Sequence, residues 1–435
     1  MIGRLTAFLA LFAFPAWAEV DIQEVTSPGG ITAWLVEEPS IPFTALELRF
    51  GGGSVLDPAD KRGVTNLMMG LLEEGAGDMD ARAFAEARET LAARYTFEAF
   101  SDSVSVSAEF LTENREEAVA LLREALINPR FDEDAIERVK RQVLTGIRAD
   151  AKDPDEISSA EFFAMAFPEH PYGSGSDGTE ETIADITRDD IEAARRAALV
   201  KDRIYVGAVG DITPDELGTL LDELLGALPD TGPELPPEID YGLPGGVTVI
   251  DFEGPQSSAL FGHVGIERDD DRYFEAFMLM EILGGGGLES RLSNEVREER
   301  GLTYSIASFL VPRDLSEMIL GRVRSSNETI AEAIEVTRAE WARMAEKGVT
   351  EEELARTKTY LTGAYPLRFD GNGRIANILA GMQQSDLGID YIATRNANVE
   401  AVTLEEINQV AREILRPEDL HFVVVGQPEG LASTN

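Results

Sequence analysis

The chain has no cysteine and only three histidines among its 435 residues. The first absence excludes disulfides, a lipid-modified cysteine and a thiol nucleophile. The second leaves little for metal chemistry: His170, His263 and His421 fall in different predicted elements without ligand spacing, and each reads as structural. Basic residues are scarce too, with 38 Lys and Arg against 80 Asp and Glu and a formal net charge of −42. Nucleic acid is therefore excluded as a partner, since phosphate contacts need basic surface, and so is an anionic membrane face. Beyond the N-terminus no apolar run is long enough to predict a membrane span. No G-x-S-x-G elbow or Walker loop is present. At this density of acids, pairs such as Glu73-Glu74 and Glu298-Glu299 read as solvated faces.

What is present begins with an address. Residues 1–18 carry one basic residue, Arg4, an apolar run over 5–14 and Ala16-Trp17-Ala18. This is the pattern of a cleavable secretory signal, with the mature chain starting at Glu19 and the protein expected in the periplasm, without membrane insertion after cleavage. Alternating residues predict strands at 31–36 and 43–50, then helices at 64–74 and 80–93 and a strand-like run over 95–111. Helices at 113–125 and 132–151, a strand at 204–209 and a helix at 214–228 follow. Five prolines between Pro229 and Pro244 mark a linker, placed at 233–246.

The second half repeats the order of the first. Thr32 and Thr248, Pro39 and Pro255, and Gly210 and Gly426 are each 216 positions apart, and Arg88-to-Tyr95 has the same spacing as Arg297-to-Tyr304. A common register over this distance points to duplication. The expected fold is α+β: two homologous domains, 19–232 and 247–435, each an antiparallel sheet packed with helices.

Around one stretch, 284–304, the rest is organised: GGGGLESRLSNEVREERGLTY. The glycines give backbone freedom, Leu288, Leu292 and Val296 predict one face of a helix, and Gly301 is placed to end it as a left-handed cap. Strand composition resumes at Thr303. Arg297 and Tyr304 would thus flank a tight turn, where a guanidinium and a phenol can grip a carbonyl oxygen. On these residues alone the glycines also read as a connector, Arg297 as a helix cap and Tyr304 as core.

The chain resembles the M16 family, the pitrilysin-like and processing-peptidase-like zinc metallopeptidases, over essentially all of its mature length. The resemblance rests on the paired halves, on His170-Pro171-Tyr172-Gly173, on Val209-Gly210-Asp211 and, most specifically, on Val296-Arg297-Glu298-Glu299-Arg300-Gly301-Leu302-Thr303-Tyr304-Ser305. It implies two similar domains of LuxS/MPP-like metallohydrolase fold enclosing a peptide, one bearing an inverted zinc motif, H-x-x-E-H, and the other an arginine–tyrosine pair spaced as Arg297 and Tyr304 are. At the place of the zinc motif this chain has Asn66, Met69 and Gly70, and where a further glutamate is expected it has Thr145 and Gly146. An amide, a thioether and a bare backbone are no ligand set for zinc, so no cofactor is expected in this chain.

The resemblance therefore implies a non-catalytic subunit of a heteromeric peptidase. A partner chain would carry H-x-x-E-H and zinc. This chain would bring Arg297 and Tyr304 to the substrate carbonyl, with Gly284, Gly285, Gly286 and Gly287 lining the entrance for an unfolded peptide. The alternatives are an inert scaffold of the same fold and, least favoured by the residues present, an autonomous enzyme of another mechanism.

Overall fold

The structure, a computed structural model, describes residues 21–285 and 289–434. The signal expected over 1–18 lies outside the described residues. The first half contributes strands β1 (Gln23–Thr26), β2 (Thr32–Glu37), β3 (Phe43–Gly51), β4 (Gly75–Ala76), β5 (Met79–Asp80), β6 (Arg94–Ala99), β7 (Ser103–Leu111) and β8 (Ile204–Gly210). The second contributes β9 (Gly246–Asp251), β10 (Gln256–Val264), β11 (Thr303–Arg313), β12 (Ser316–Ser326) and β13 (His421–Gly426). One sheet has the order β1-β2-β8-β3-β7-β6, the other β11-β12-β10-β13-β9, and β4 pairs with β5 alone. In each large sheet a single pair is parallel, β2 with β8 and β9 with β13. From that pair outward the strand orders β2-β8-β3-β7-β6 and β9-β13-β10-β12-β11 coincide.

Two features differ from the sequence reading. β1 was not expected, and the run over 95–111 is a hairpin rather than one strand. Ser101 and Asp102 reverse it, with the Phe100 N–H on the Ser103 carbonyl at 2.8 Å. Short polar side chains of this kind favour turns over ladders.

Period-two alternation in β3 sends Leu46, Leu48 and Phe50 into a core shared with helices Val64–Leu71, Arg115–Ile127 and Pro214–Leu225. The other face of the same strand meets a helix from the second half. Ala45, Val209 and Trp34 pack with Ala376, Leu379 and Met382 of Asn372–Gln384. That helix lies so close that a Cβ on Gly207 would fall 2.2 Å from the Ala376 carbonyl oxygen. The exchange is reciprocal. Phe162 and Ala166 of helix Pro154–Ala166 pack with Leu260, Leu320 and Val423 of the second sheet, and Asp155 accepts from Ser258 and Arg324. Each sheet is thus covered by helices from both halves.

The proline-rich segment has no regular structure over 229–245, as its composition predicts. It is nevertheless packed rather than free: Leu243 is buried in the core around Phe162, and the Ile239 N–H bonds to the Leu315 carbonyl at 2.9 Å. The His170-Pro171-Tyr172-Gly173 turn fastens the same seam. His170 Nδ1 accepts from the Tyr172 N–H at 3.2 Å. The Tyr172 hydroxyl donates to Asp102 Oδ1 (2.5 Å) and accepts from the Leu315 N–H (3.0 Å). The other histidines also serve the fold: buried His263 accepts on Nε2 from the Trp341 indole at 3.0 Å, and His421 Nδ1 meets the Pro244 carbonyl at 2.7 Å.

Candidate functional site

Helix Tyr273–Gly284 ends against β11. Gly284 makes this approach possible, because a Cβ there would lie 2.1 Å from Ser308 Oγ. At Gly285 a Cβ would lie 2.5 Å from the Glu281 carboxyl carbon. Gly286, Gly287 and Leu288 lie outside the described residues. Helical structure resumes with π-type turns over Ser293–Glu298, whose Leu292 and Val296 flank is fully buried. Single π turns widen a helix locally and recur at functional sites. Gly301, at φ 64°, turns the chain out of the helix as a left-handed cap. Its N–H bonds to the Arg297 carbonyl at 3.0 Å, and that of Leu302 to Val296 at 2.9 Å.

The strand that follows is irregular at the residue of interest. In the β11–β12 ladder Thr303 pairs with Ser325 and Ser305 with Arg324, so Tyr304 is an extra residue in a β-bulge. Bulges break the alternation of a strand and re-aim a side chain. Tyr304 is 87% exposed, so it is not core. Thr303 holds the bulge: its hydroxyl accepts from the Ser305 N–H at 3.1 Å, and its single proton is shared between the carbonyl of Ser305 (2.9 Å) and, on the neighbouring strand β12, that of Arg324. Arg297 stands at the end of the preceding helix, and among the described residues its guanidinium pairs only with the neighbouring Glu298, at 3.4 Å. The surrounding charges are anchored elsewhere, Glu295 by Arg300 (2.5 Å) and Arg343 (3.3 Å).

The first half supplies an internal comparison. Arg88 and Tyr95 have the same spacing, yet both are spent on the fold. Arg88 pairs with Glu73 at 2.5 Å, and the buried Tyr95 hydroxyl donates to the Ala118 carbonyl at 2.6 Å. Burial pushes the Tyr95 phenol well above its ordinary range. Of the two pairs, one is consumed by packing and the other is presented to solvent.

Asn66, Met69 and Gly70, where the resemblance would put a zinc motif, lie on helix Val64–Leu71, and the bulge belongs to the other sheet. The Asn66 amide donates to Asp177 Oδ1 at 2.7 Å, and burial with the nearby Asp150 charge raises the Asp177 carboxyl above its usual range. Met69 is 1% exposed and belongs to the core beneath the helix. Gly70 faces outward, with the space a Cβ would fill bounded by Val139 at 3.4 Å. Thr145 is exposed and bonds to the Arg141 carbonyl, and nothing bounds Gly146 within 4 Å. Among the described residues no three His, Cys, Asp or Glu side chains are grouped to hold a metal. Asn66, Met69 and Gly70 do not fit zinc.

Two family profiles match the chain. One described as "Insulinase (Peptidase family M16)" matches residues 33–179, and one described as "Peptidase M16 inactive domain" matches 185–361. The chain belongs to the M16 peptidase family. A solved M16 inactive domain from Pseudomonas fluorescens superposes with a TM-score of 0.87 at 28% identity, covering 95% of this chain and 100% of that one. A protease structure from Helicobacter pylori gives a TM-score of 0.84 at 15% identity, over 94% and 100% of the two chains, a likeness of fold. Among curated relatives, a "non-peptidase homolog YmxG" of Helicobacter pylori is 25% identical over 89% of this chain and 90% of its own. An "uncharacterized zinc protease YmxG" of Bacillus subtilis is 24% identical over 94% of this chain and 99% of its own.

Sequence reasoning singled out Arg297 and Tyr304, which the structure places on either side of the Gly301 turn, but missed Thr303 and the bulge. A threonine at a strand start carries no signal that its hydroxyl will hold an extra residue, because the partner strand lies beyond the reach of any local pattern.

Proposed function

We infer that this chain is the non-catalytic, arginine–tyrosine-bearing subunit of a two-chain M16 peptidase, working in the periplasm. A partner subunit carrying H-x-x-E-H would hold the zinc. Arg297 and Tyr304 would contact the scissile carbonyl of an unfolded peptide from the opposite wall, and the glycine stretch Gly284–Gly287 would border its entrance. The observation that carries this reading is the contrast between Tyr304, bulged outward and 87% exposed, and Tyr95, buried with its hydroxyl bonded. Held out by the bulge, the Tyr304 phenol adds little to the packing of the fold, whereas a donor aimed at a substrate needs that presentation. The matching strand orders of the two sheets favour two homologous domains.

The test is reconstitution. The chain alone should leave unstructured peptides intact, and chelator-sensitive cleavage should appear on adding the H-x-x-E-H chain that co-purifies with it from its host. Cleavage by this chain alone refutes the reading. A stable but inert complex would favour the second reading, a scaffold of M16 fold, with which the name of the Helicobacter pylori relative, a non-peptidase homolog, agrees.

A further inference from the structure

Away from the arginine–tyrosine pair, the second half encloses a cavity of about 280 Å³. It lies where the start of helix Tyr273–Gly284, the turn Tyr365–Arg368 and helix Tyr391–Ala401 meet. Its walls are aromatic, with Tyr273, Tyr365 and Tyr391 foremost, and its charged residues are all arginines: Arg268, Arg368 and Arg395. No acid lines it. In a chain with 80 acidic against 38 basic residues, three guanidinium groups around one cavity and no carboxylate among them is a marked inversion.

The three are held in different ways. Arg268 lies 4.0 Å from the Tyr273 ring centre and donates to the Tyr391 hydroxyl at 3.0 Å. Arg395 is buried, 4.5 Å from the Tyr365 ring centre, and donates to the Leu361 carbonyl and to Asn396 Oδ1, both at 3.0 Å. Arg368 is exposed at the rim. Among the described residues none of the three forms an ion pair. Other arginines of the second half do, Arg272 with Asp270 and Arg291 with Glu353, both at 2.7 Å. Six acids adjoin lining residues in sequence, Glu267, Asp269, Glu275, Asp370, Asp386 and Asp390, and none of them is among the lining residues.

We propose that this cavity binds a carboxylate carried on an aromatic or apolar body. A buried guanidinium faced only by rings and neutral oxygens lacks the anion that would compensate it. A carboxylate suits the planar fork of arginine, and the ring walls suit an apolar body that water solvates poorly. The volume lies at the small end for ligand sites, which fits one ring or one branched side chain rather than a long chain. Two sources share this chemistry, a free small acid and the C-terminal residue of a peptide. The cavity uses neither Arg297 nor Tyr304, so the inference stands or falls separately from the peptidase reading.

The experiment is calorimetric titration of the purified full chain with 3-phenylpropionate, with N-acetylglycyl-phenylalanine and with the neutral amide of each. Binding of an acid, at least about tenfold tighter than its amide, is the expected result, as a charge-assisted contact warrants. Arg368→Gln should weaken that binding by about tenfold while leaving the melting temperature unchanged, because the side chain is exposed. Arg268→Gln should weaken it too, with some loss of stability from the ring contact. Binding of the blocked dipeptide as well as the free acid identifies a peptide C-terminus, and binding of the free acid alone identifies a small acid. The proposal is overturned if neither acid binds at about 10 mM, if acids and amides bind alike, or if Arg368→Gln binds as tightly as the unaltered chain.

Discussion

Removing one oxygen from each of two tyrosines separates a role in the fold from a role in the reaction. The Tyr95 hydroxyl is buried and donates to the Ala118 carbonyl at 2.6 Å. Tyr95→Phe removes that bond, while the carbonyl keeps its place in helix Arg115–Ile127, and should cost about 1 kcal/mol of stability. Tyr304 is 87% exposed in a bulge whose own bonds are made by Thr303, so Tyr304→Phe should change stability by less than about 0.5 kcal/mol. In the assembled peptidase the order reverses. Losing a donor to the developing oxyanion should lower kcat/KM by about 10²–10³, whereas Tyr95→Phe should leave the rate of the folded complex intact. Arg297→Ala belongs with Tyr304→Phe, since its ion pair with Glu298 is exposed and contributes little. The assays are denaturant unfolding of the isolated chain and peptide cleavage by the complex, for all three variants. Tyr304→Phe that melts normally, assembles and cleaves at the unaltered rate would refute the reasoning. So would a Tyr304→Phe as destabilised as Tyr95→Phe.

Other outcomes follow from the same structure. The dialysed chain should hold no stoichiometric zinc by metal analysis, because Asn66 is bonded to Asp177 and Met69 is core; one tightly held zinc per chain would contradict this. Met69→Glu, a single step toward H-x-x-E-H, should destabilise the chain by about 3 kcal/mol or more in urea unfolding, since it places an unpaired carboxylate in the core. Thr303→Val should loosen the bulge and lower cleavage by the complex with only a modest shift in unfolding midpoint, whereas unaltered cleavage would show that the bulge does not aim Tyr304. Burial holds the His263 imidazole neutral, its pKa lowered to about 4. Protonation therefore favours the unfolded chain, so the stability tied to this residue is full above about pH 6.5 and is lost as pH falls toward 4, up to about 3 kcal/mol. Unfolding followed from pH 7 to 4 should show a shallower slope in His263→Gln than in the unaltered chain.

Much of this protein was fixed locally and could be read from its residues. Alternation gave β3, and apolar spacing with proline and threonine starts gave helices such as Pro214–Leu225. Gly301 was legible because only a residue tolerant of positive φ ends a helix in that way. That Asn66, Met69 and Gly70 offer no ligand set for zinc is a matter of side-chain identity and needed no coordinates. The repeated offsets anticipated that strand order would recur between the sheets, since register along a chain is preserved in sequence.

Only the tertiary structure decided what depends on partners distant in sequence. The spacing of Arg88 and Tyr95 is that of Arg297 and Tyr304, and no local property tells the pairs apart. The first tyrosine is buried because the Ala118 carbonyl is there to receive its hydroxyl, and the second is presented because β12 offers Ser325 and Arg324 to its neighbours and nothing to it. In the same way, the exchange of helices Pro154–Ala166 and Asn372–Gln384 between the two sheets joins residues far apart in sequence, such as Asp155 with Ser258 and Gly207 with Ala376. The sequence by itself determined which side chains are available. Which of them the fold consumes and which it leaves free is set by contacts between segments that meet only after folding.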